Sequence, residues 1–162
     1  MKKKIRGIWF YGLAGSGKTF ASQKILKLVN HSFVIDGDVV RQNVSFELGY
    51  TPNDRKKQLL KVFGITKIVL CNNYFPIIST VSMYEDIFKK CKEENILIIK
   101  IVRPMNQIFK LRKIYNVGKN VVGVDIDLQN FKTKIVKNIG DISFEEKLKS
   151  LLFEYEIIDK TI

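Results

Sequence analysis

Apolar positions along the chain fall into two alternating patterns. Short apolar runs at 5–11, 33–36, 75–80 and 96–102 have the length and bounding residues of strands, and a last strand is expected near 133–138. Stretches with helical spacing lie between them, at 17–29, about 39–47, 52–71, 83–94 and 104 to about 112. In the longest of these, Leu59, Phe63, Thr66 and Leu70 share one face, joined by Val62 and Val69. In 83–94 the spacing turns Tyr84, Ile87, Phe88 and Cys91 inward. Pro104 opens its helix where a missing N–H costs nothing. Residues 115–130 show no period, and Phe144, Leu148, Leu151 and Leu152 mark a C-terminal helix. Strands alternating with helices predict an α/β fold: a three-layer α/β/α arrangement around a five-stranded parallel sheet, with any ligand at the carboxyl edge of the strands. No repeat, low-complexity block or linker interrupts the pattern. The 162 residues are therefore expected to form a single domain, 1–162.

The connection after the first strand carries the strongest chemistry. Gly12-Leu13-Ala14-Gly15-Ser16-Gly17-Lys18-Thr19 is a complete G-x-x-x-x-G-K-[ST] phosphate loop between an apolar strand and a helix. Its glycines remove Cβ atoms, so successive N–H groups can wrap a polyphosphate. Lys18 places a cation on the β/γ-phosphates, and the Thr19 hydroxyl suits Mg²⁺. A plain glycine-rich turn would not need the strand before and the helix after. The chain is expected to bind a nucleoside triphosphate with Mg²⁺ in a P-loop NTPase fold.

Composition narrows the remaining classes. With 28 Lys+Arg against 16 Asp+Glu, the formal charge is +12, which raises nucleic acid as a partner. The lysines are dispersed over expected helix surfaces, however, and no recognition helix or aromatic RNA-binding motif accompanies them. A lysine-rich surface that gathers anionic nucleotides explains the charge better. No apolar run is long enough to span a membrane, and the basic start Met1-Lys2-Lys3-Lys4 leads into a strand, not a secretory leader. Cys71 and Cys91 lie too far apart for a metal cage or disulfide framework, and the lone His31 sits in a turn. A reduced cytoplasmic setting is expected. The oligomeric state is left open, with a homodimer as one option.

A second cluster follows the second strand. Phe33-Val34-Ile35-Asp36 is the one later apolar run that ends on an acid, so the carboxylate work at the γ-phosphate falls to Asp36-Gly37-Asp38. Arg41 stands one helical turn beyond Asp38. A carboxylate that takes an alcohol's proton beside a guanidinium that grips an anion is what phosphoryl transfer to a hydroxyl requires. Asp38 is also expected to cap the helix it opens. Either Asp36 or Asp38 can supply the base.

The phosphate loop, Asp36-Gly37-Asp38-Val39-Val40-Arg41, and Leu48-Gly49-Tyr50-Thr51-Pro52-Asn53-Asp54-Arg55 together resemble the adenylylsulfate kinase family. The likeness continues more weakly through Ser79-Thr80-Val81-Ser82 and Val121-Val122-Gly123-Val124-Asp125, and covers about residues 6–137. The resemblance implies a P-loop fold of nucleotide-kinase type, ATP as the triphosphate, and a kinase acting on the 3′-hydroxyl of a nucleotide ribose. It makes Asp38 the catalytic carboxylate alongside Lys18, and puts the phosphate loop, Phe20 and Arg112 on ATP. Thr19 and Asp36 would hold the metal. It puts Arg41 and Arg55 on the acceptor's anionic end, Tyr50 on its base, and Gln58, Ser82, Lys119, Val121 and Val122 around it. A mobile lid would span about 112–130.

The departures from the family pattern concern the acceptor. The family's asparagine and arginine after the Asp-Arg pair are Gln58 and Leu60 here, which removes one anion contact. In the lid, Lys119-Asn120-Val121-Val122-Gly123 stands where the family has Lys-Gly-Phe-Thr-Gly, so Val122 takes the place of an aromatic that closes on adenine. Stacking contributes about 1–3 kcal/mol per base. The changes resemble a side branch, the cytidine diphosphoramidate kinases of bacterial capsule phosphoramidate synthesis. A cytidine diphosphoramidate acceptor is therefore expected, with adenylylsulfate as the alternative. A nucleotide- or nucleic-acid-binding regulatory protein without turnover is the reading from another class.

Overall fold

The computed structural model describes residues 4–117 and 119–159. Its elements run β1 (Gly7–Tyr11), α1 (Lys18–Leu26), β2 (Ser32–Asp36), α2 (Gly37–Asn43), α3 (Pro52–Cys71), β3 (Phe75–Thr80), α4 (Glu85–Glu93), β4 (Ile96–Val102), α5 (Met105–Leu111), α6 (Ile114–Val117), β5 (Lys134–Lys137) and α7 (Ser143–Glu154). The five strands form one parallel sheet in the order β2-β3-β1-β4-β5.

β1 is central and wholly buried, which is why its sequence lacks polar alternation. Its side chains nevertheless alternate between two cores. Ile8 and Phe10 join Ala21 and Ile25 of α1 with Phe144, Leu148, Leu151 and Leu152 of α7 on one face. Trp9 and Tyr11 join Leu59 and Val62 of α3 with Ile87, Phe88 and Cys91 of α4 on the other. Burying one such side chain stabilises by about 1.5–3 kcal/mol, so the two apolar helix faces hold the sheet between them. The expected inward sets of α3, α4 and α7 are found there, with Phe63, Val69 and Tyr84 only partly buried. The Cys91 thiol is buried, which raises its pKa, and His31 is exposed. Among the described residues no helix is long and apolar enough to cross a membrane.

Several boundaries differ from the sequence expectation. α2 begins at Gly37 because Asp36, not Asp38, is its cap: the Asp36 carboxylate accepts the Asp38 N–H at 2.9 Å. α2 ends at Asn43, where Ser45 turns inward with its N–H on the Val40 carbonyl at 3.1 Å. α1 stops at Leu26, and α4 starts only after Tyr84. α3 matches its expected span. Thr51 caps it by accepting the Asp54 N–H and donating to the Asp54 carboxylate, and Pro52 occupies the first turn. The stretch 115–130 is not wholly irregular. It holds the end of α6 and a small loop in which Asp125 accepts the N–H groups of Asn120 and Val121 at 2.6 and 2.5 Å. Those bonds hold the Asp125 carboxyl below the usual carboxylate range.

Candidate active site

β1 is flanked by β3 on one side and β4 on the other, and at its carboxyl end the chain turns into the phosphate loop. A cleft of about 1060 Å³ opens there. Two of the loop's glycines are required by geometry. Gly12 has φ 148°, and a Cβ on it would stand 2.2 Å from the Ile101 carbonyl oxygen. Gly17 has φ 108°, and its Cβ would stand 2.3 Å from Asn138 Nδ2. Ala14, Gly15, Gly17, Lys18 and Thr19 line the cleft, whereas Gly12 and Ser16 are buried and Leu13 is partly so. Leu13 packs beside Gly123, and the Ser16 hydroxyl is buried without a partner among the described residues.

Lys18 is buried, with Nζ donating to the carbonyls of Gly12 at 2.8 Å and Leu13 at 2.9 Å. Burial lowers its pKa to about 8. Asp38 and Asp36 counteract part of that, and Arg112 adds to it. An ammonium held by neutral carbonyls in a desolvated place gains strongly when a polyphosphate arrives.

The second wall is the carboxyl end of β2 with the start of α2. Asp36 Oδ2 accepts from Thr19 Oγ1 at 3.2 Å and from Ser79 Oγ at 2.9 Å. A hydroxyl and a carboxylate side by side next to a phosphate loop are hard oxygen donors of the kind Mg²⁺ takes together with phosphate oxygens and water. These residues therefore fit the cation. Asp38 is exposed in the cleft, and no side chain among the described residues bonds its carboxylate.

The far end of the cleft is cationic and aromatic. Arg41 Cζ lies 4.6 Å and Arg55 Cζ 5.4 Å from the centre of the Tyr50 ring. Arg41 donates to the carbonyls of Leu48 and Gly49, and Arg55 to those of Tyr50 and, at 2.7 Å, Asn120. Burial and then the Arg41 charge hold Arg55 below the usual arginine range, without removing its charge. Two guanidiniums on carbonyls, with no carboxylate among the described residues paired to either, are an arrangement that suits an anion. Gln58 borders this region but is only 4% exposed. Its Nε2 donates to the Gly37 carbonyl at 3.0 Å, and its Oε1 accepts from the Ser45 hydroxyl. Ser82 is buried at the cleft wall, its hydroxyl without a partner among the described residues, beside a bond from Thr80 Oγ1 to the Ser82 carbonyl. Val121 and Val122, both buried, and the exposed Lys119 also line the cleft.

Arg112 and Phe20 flank the phosphate loop. The Arg112 stem lies over Gly15, whose Cβ would stand 3.1 Å from Arg112 Cγ, and Phe20 stacks on Phe144 at 5.9 Å. Two residues that the sequence reading did not single out also support the loop. Tyr115 Oη donates to the Ala14 carbonyl at 3.0 Å, and Asn138 Nδ2 to the Ser16 carbonyl at 2.8 Å. They lie 101 and 122 residues from their partners, so no local pattern announces them.

The family model for adenylylsulphate kinase matches residues 5–110, well over half of the chain. An adenylyl-sulfate kinase of Staphylococcus haemolyticus is 36% identical over 81 residues, 48% of this chain and 41% of that one. One from Clostridium kluyveri is 33% identical over 95 residues, 53% of this chain and 48% of its own. The chain thus spans about half the length of the curated relatives it matches. Among solved structures, the Mycobacterium tuberculosis APS kinase CysC in complex with AMPPNP and APS superposes with a TM-score of 0.76. That match covers 94% of this chain and 98% of that one at 16% identity, a likeness of fold. The sheet, the phosphate loop and the matched sequence agree: the chain belongs to the adenylylsulphate kinase family.

Proposed function

We propose that the chain transfers the γ-phosphate of ATP to the ribose 3′-hydroxyl of a small nucleotide. The observation that carries this is the position of Asp38. Its unbonded carboxylate shares one cleft with the Lys18 end of the phosphate loop and with the Arg41–Arg55 pair. In the reaction, the acceptor oxygen bonds to the γ-phosphorus as the bond to the β,γ-bridging oxygen breaks. ADP leaves, and Asp38 takes the hydroxyl proton. Asp36 is occupied by Thr19, Ser79 and the Asp38 N–H, which favours it for the cation and leaves Asp38 as the base. Mg²⁺, when bound, offsets negative charge on the phosphates. Arg112 sits over the loop on the ATP side, and residues about 112–130, of which Gly118 lies outside the described residues, act as the lid.

The acceptor's anionic end belongs on Arg41 and Arg55, with its base near Tyr50. The named relatives favour adenylylsulfate, and none of them is a cytidine diphosphoramidate kinase. One observation favours the cytidine reading. The cleft is lined by Val121 and Val122 together with Tyr50, and if the base lies between Tyr50 and this aliphatic pair, less of a pyrimidine than of a purine is left uncovered. The test is ATP consumption against adenylylsulfate, cytidine 5′-diphosphate analogues and RNA. Turnover with either nucleotide supports the kinase reading, and their kcat/KM ratio assigns the acceptor. ATP hydrolysis stimulated by RNA alone would replace it with a nucleic-acid-dependent activity.

A further inference from the structure

We propose that Gln58 is a positioning residue: with Ser45 it holds the Gly37 peptide and thereby fixes where the Asp38 carboxylate stands. This rests on the reading of Asp38 as the base. Gly37 is confined on one side, because a Cβ there would lie 3.0 Å from the Ser79 carbonyl oxygen and 3.2 Å from Thr80 Cγ2. The peptide therefore lies close against β3. Its carbonyl receives the Gln58 Nε2 at 3.0 Å, from the second turn of α3.

The orientation of that amide follows from chemistry. A carbonyl only accepts, so the Gln58 atom facing Gly37 must be the NH₂ group, and its oxygen then faces Ser45. Ser45 is fully buried, and its hydroxyl has one proton to give. It stands close to Gln58 Oε1 and at 3.3 Å from the Val40 carbonyl, so the amide is the nearer acceptor. Ser45 follows the carboxyl end of α2, while Gly37 is its first residue. One side chain from α3 thus ties both ends of the helix whose second residue is Asp38. Both polar atoms of Gln58 are engaged, and it is almost fully covered. Only the second Nε2 hydrogen is left for an acceptor, on a side chain with little surface in the cleft.

A carboxylate one residue from a released peptide can drift by an ångström, which costs up to about a hundredfold in rate when the geometry of attack is lost. Gln58→Met keeps the length and removes both polar atoms. Gln58→Glu keeps the acceptor for Ser45 and loses the donor to Gly37. Each should lower kcat about ten- to a hundredfold, with both KM values within about threefold of wild type. Hydrogen exchange gives a readout independent of turnover. The Asp38 amide, which donates to Asp36, should exchange at least about tenfold faster in Gln58→Met, while the β1 amides stay protected. A tenfold rise in acceptor KM with kcat preserved would make Gln58 an acceptor contact and overturn the proposal, as would unchanged kcat or unchanged Asp38 exchange. If the wild-type protein phosphorylates no nucleotide, the functional reading fails, and the Asp38 exchange alone decides the role of Gln58.

Discussion

Raising the pH through the titration of Lys18 should weaken ATP binding, by an amount that the structure sets. In the free protein its ammonium is desolvated against two carbonyls and titrates at about 8 instead of 10.5. That gap corresponds to about 3 kcal/mol against the charged form. Bound polyphosphate supplies the missing counter-charge, so the complex keeps its proton to much higher pH. Between these limits, binding must take up a proton. The dissociation constant for ATP should then rise about thirtyfold between pH 7 and 9.5, approaching tenfold per unit. At pH 8.5 binding should consume roughly three quarters of a proton. Calorimetric titration in two buffers of different ionisation enthalpy measures that uptake directly. Lys18→Ala should bind weakly with no uptake, and Lys18→Arg should lose the pH dependence because its charge persists. Folding stability should move the other way. The folded pKa is lowered, so the unfolded chain binds more protons between about pH 8 and 10.5, and this group's contribution to stability rises with pH across that window. Zero proton uptake at pH 8.5 in the wild-type protein, or equal uptake in Lys18→Ala, would refute the reasoning.

Four substitutions separate the remaining roles. Asp38→Asn should leave ATP affinity near wild type and reduce kcat at least about a hundredfold in steady-state assays, since it removes only the group aimed at the acceptor. An equal loss of ATP affinity would instead put Asp38 on the cation. Arg41→Ala and Arg55→Ala should each raise the acceptor KM about ten- to a hundredfold, because a charge-assisted contact contributes about 1.5–3 kcal/mol. The ATP KM should stay unchanged, and a change in salt sensitivity alone would demote that arginine to the general basic surface. Val122→Phe should shift the kcat/KM ratio toward a purine acceptor in a competition assay, by no more than stacking supplies, about 1–3 kcal/mol. An unchanged ratio would remove Val122 from base recognition.

What could be read from the chain is what local pattern encodes. The first four strands were legible as apolar runs, β5 only from Ile135 and Val136 between two lysines, and α3 because Thr51, Pro52 and Asp54 announce its start. α2 was misjudged in both directions. Asp36 closes a strand and caps a helix at once, and Val44 and Phe46 continue an apolar period without being buried, Phe46 being 79% exposed. The small loop at 120–126 depends on Asp125 reaching back to two N–H groups, a bond that leaves no periodic trace. In the site, the phosphate loop and Asp36-Gly37-Asp38 are contiguous motifs and were found. Asn138 and Tyr115 reach the loop only once β5 and α6 are in place. The Gln58 amide was read by position in a motif, whereas its partners Gly37 and Ser45 become visible only with α2 packed on α3.

The central claim is phosphoryl transfer to a ribose hydroxyl, and phosphorus NMR of the reaction mixture tests it most directly. With ATP, Mg²⁺ and adenylylsulfate or a cytidine 5′-diphosphate analogue, the account predicts ADP and one new phosphomonoester resonance in equal amounts, the latter coupled to the ribose H3′. ADP accompanied by inorganic phosphate, with both acceptors unchanged, would contradict it.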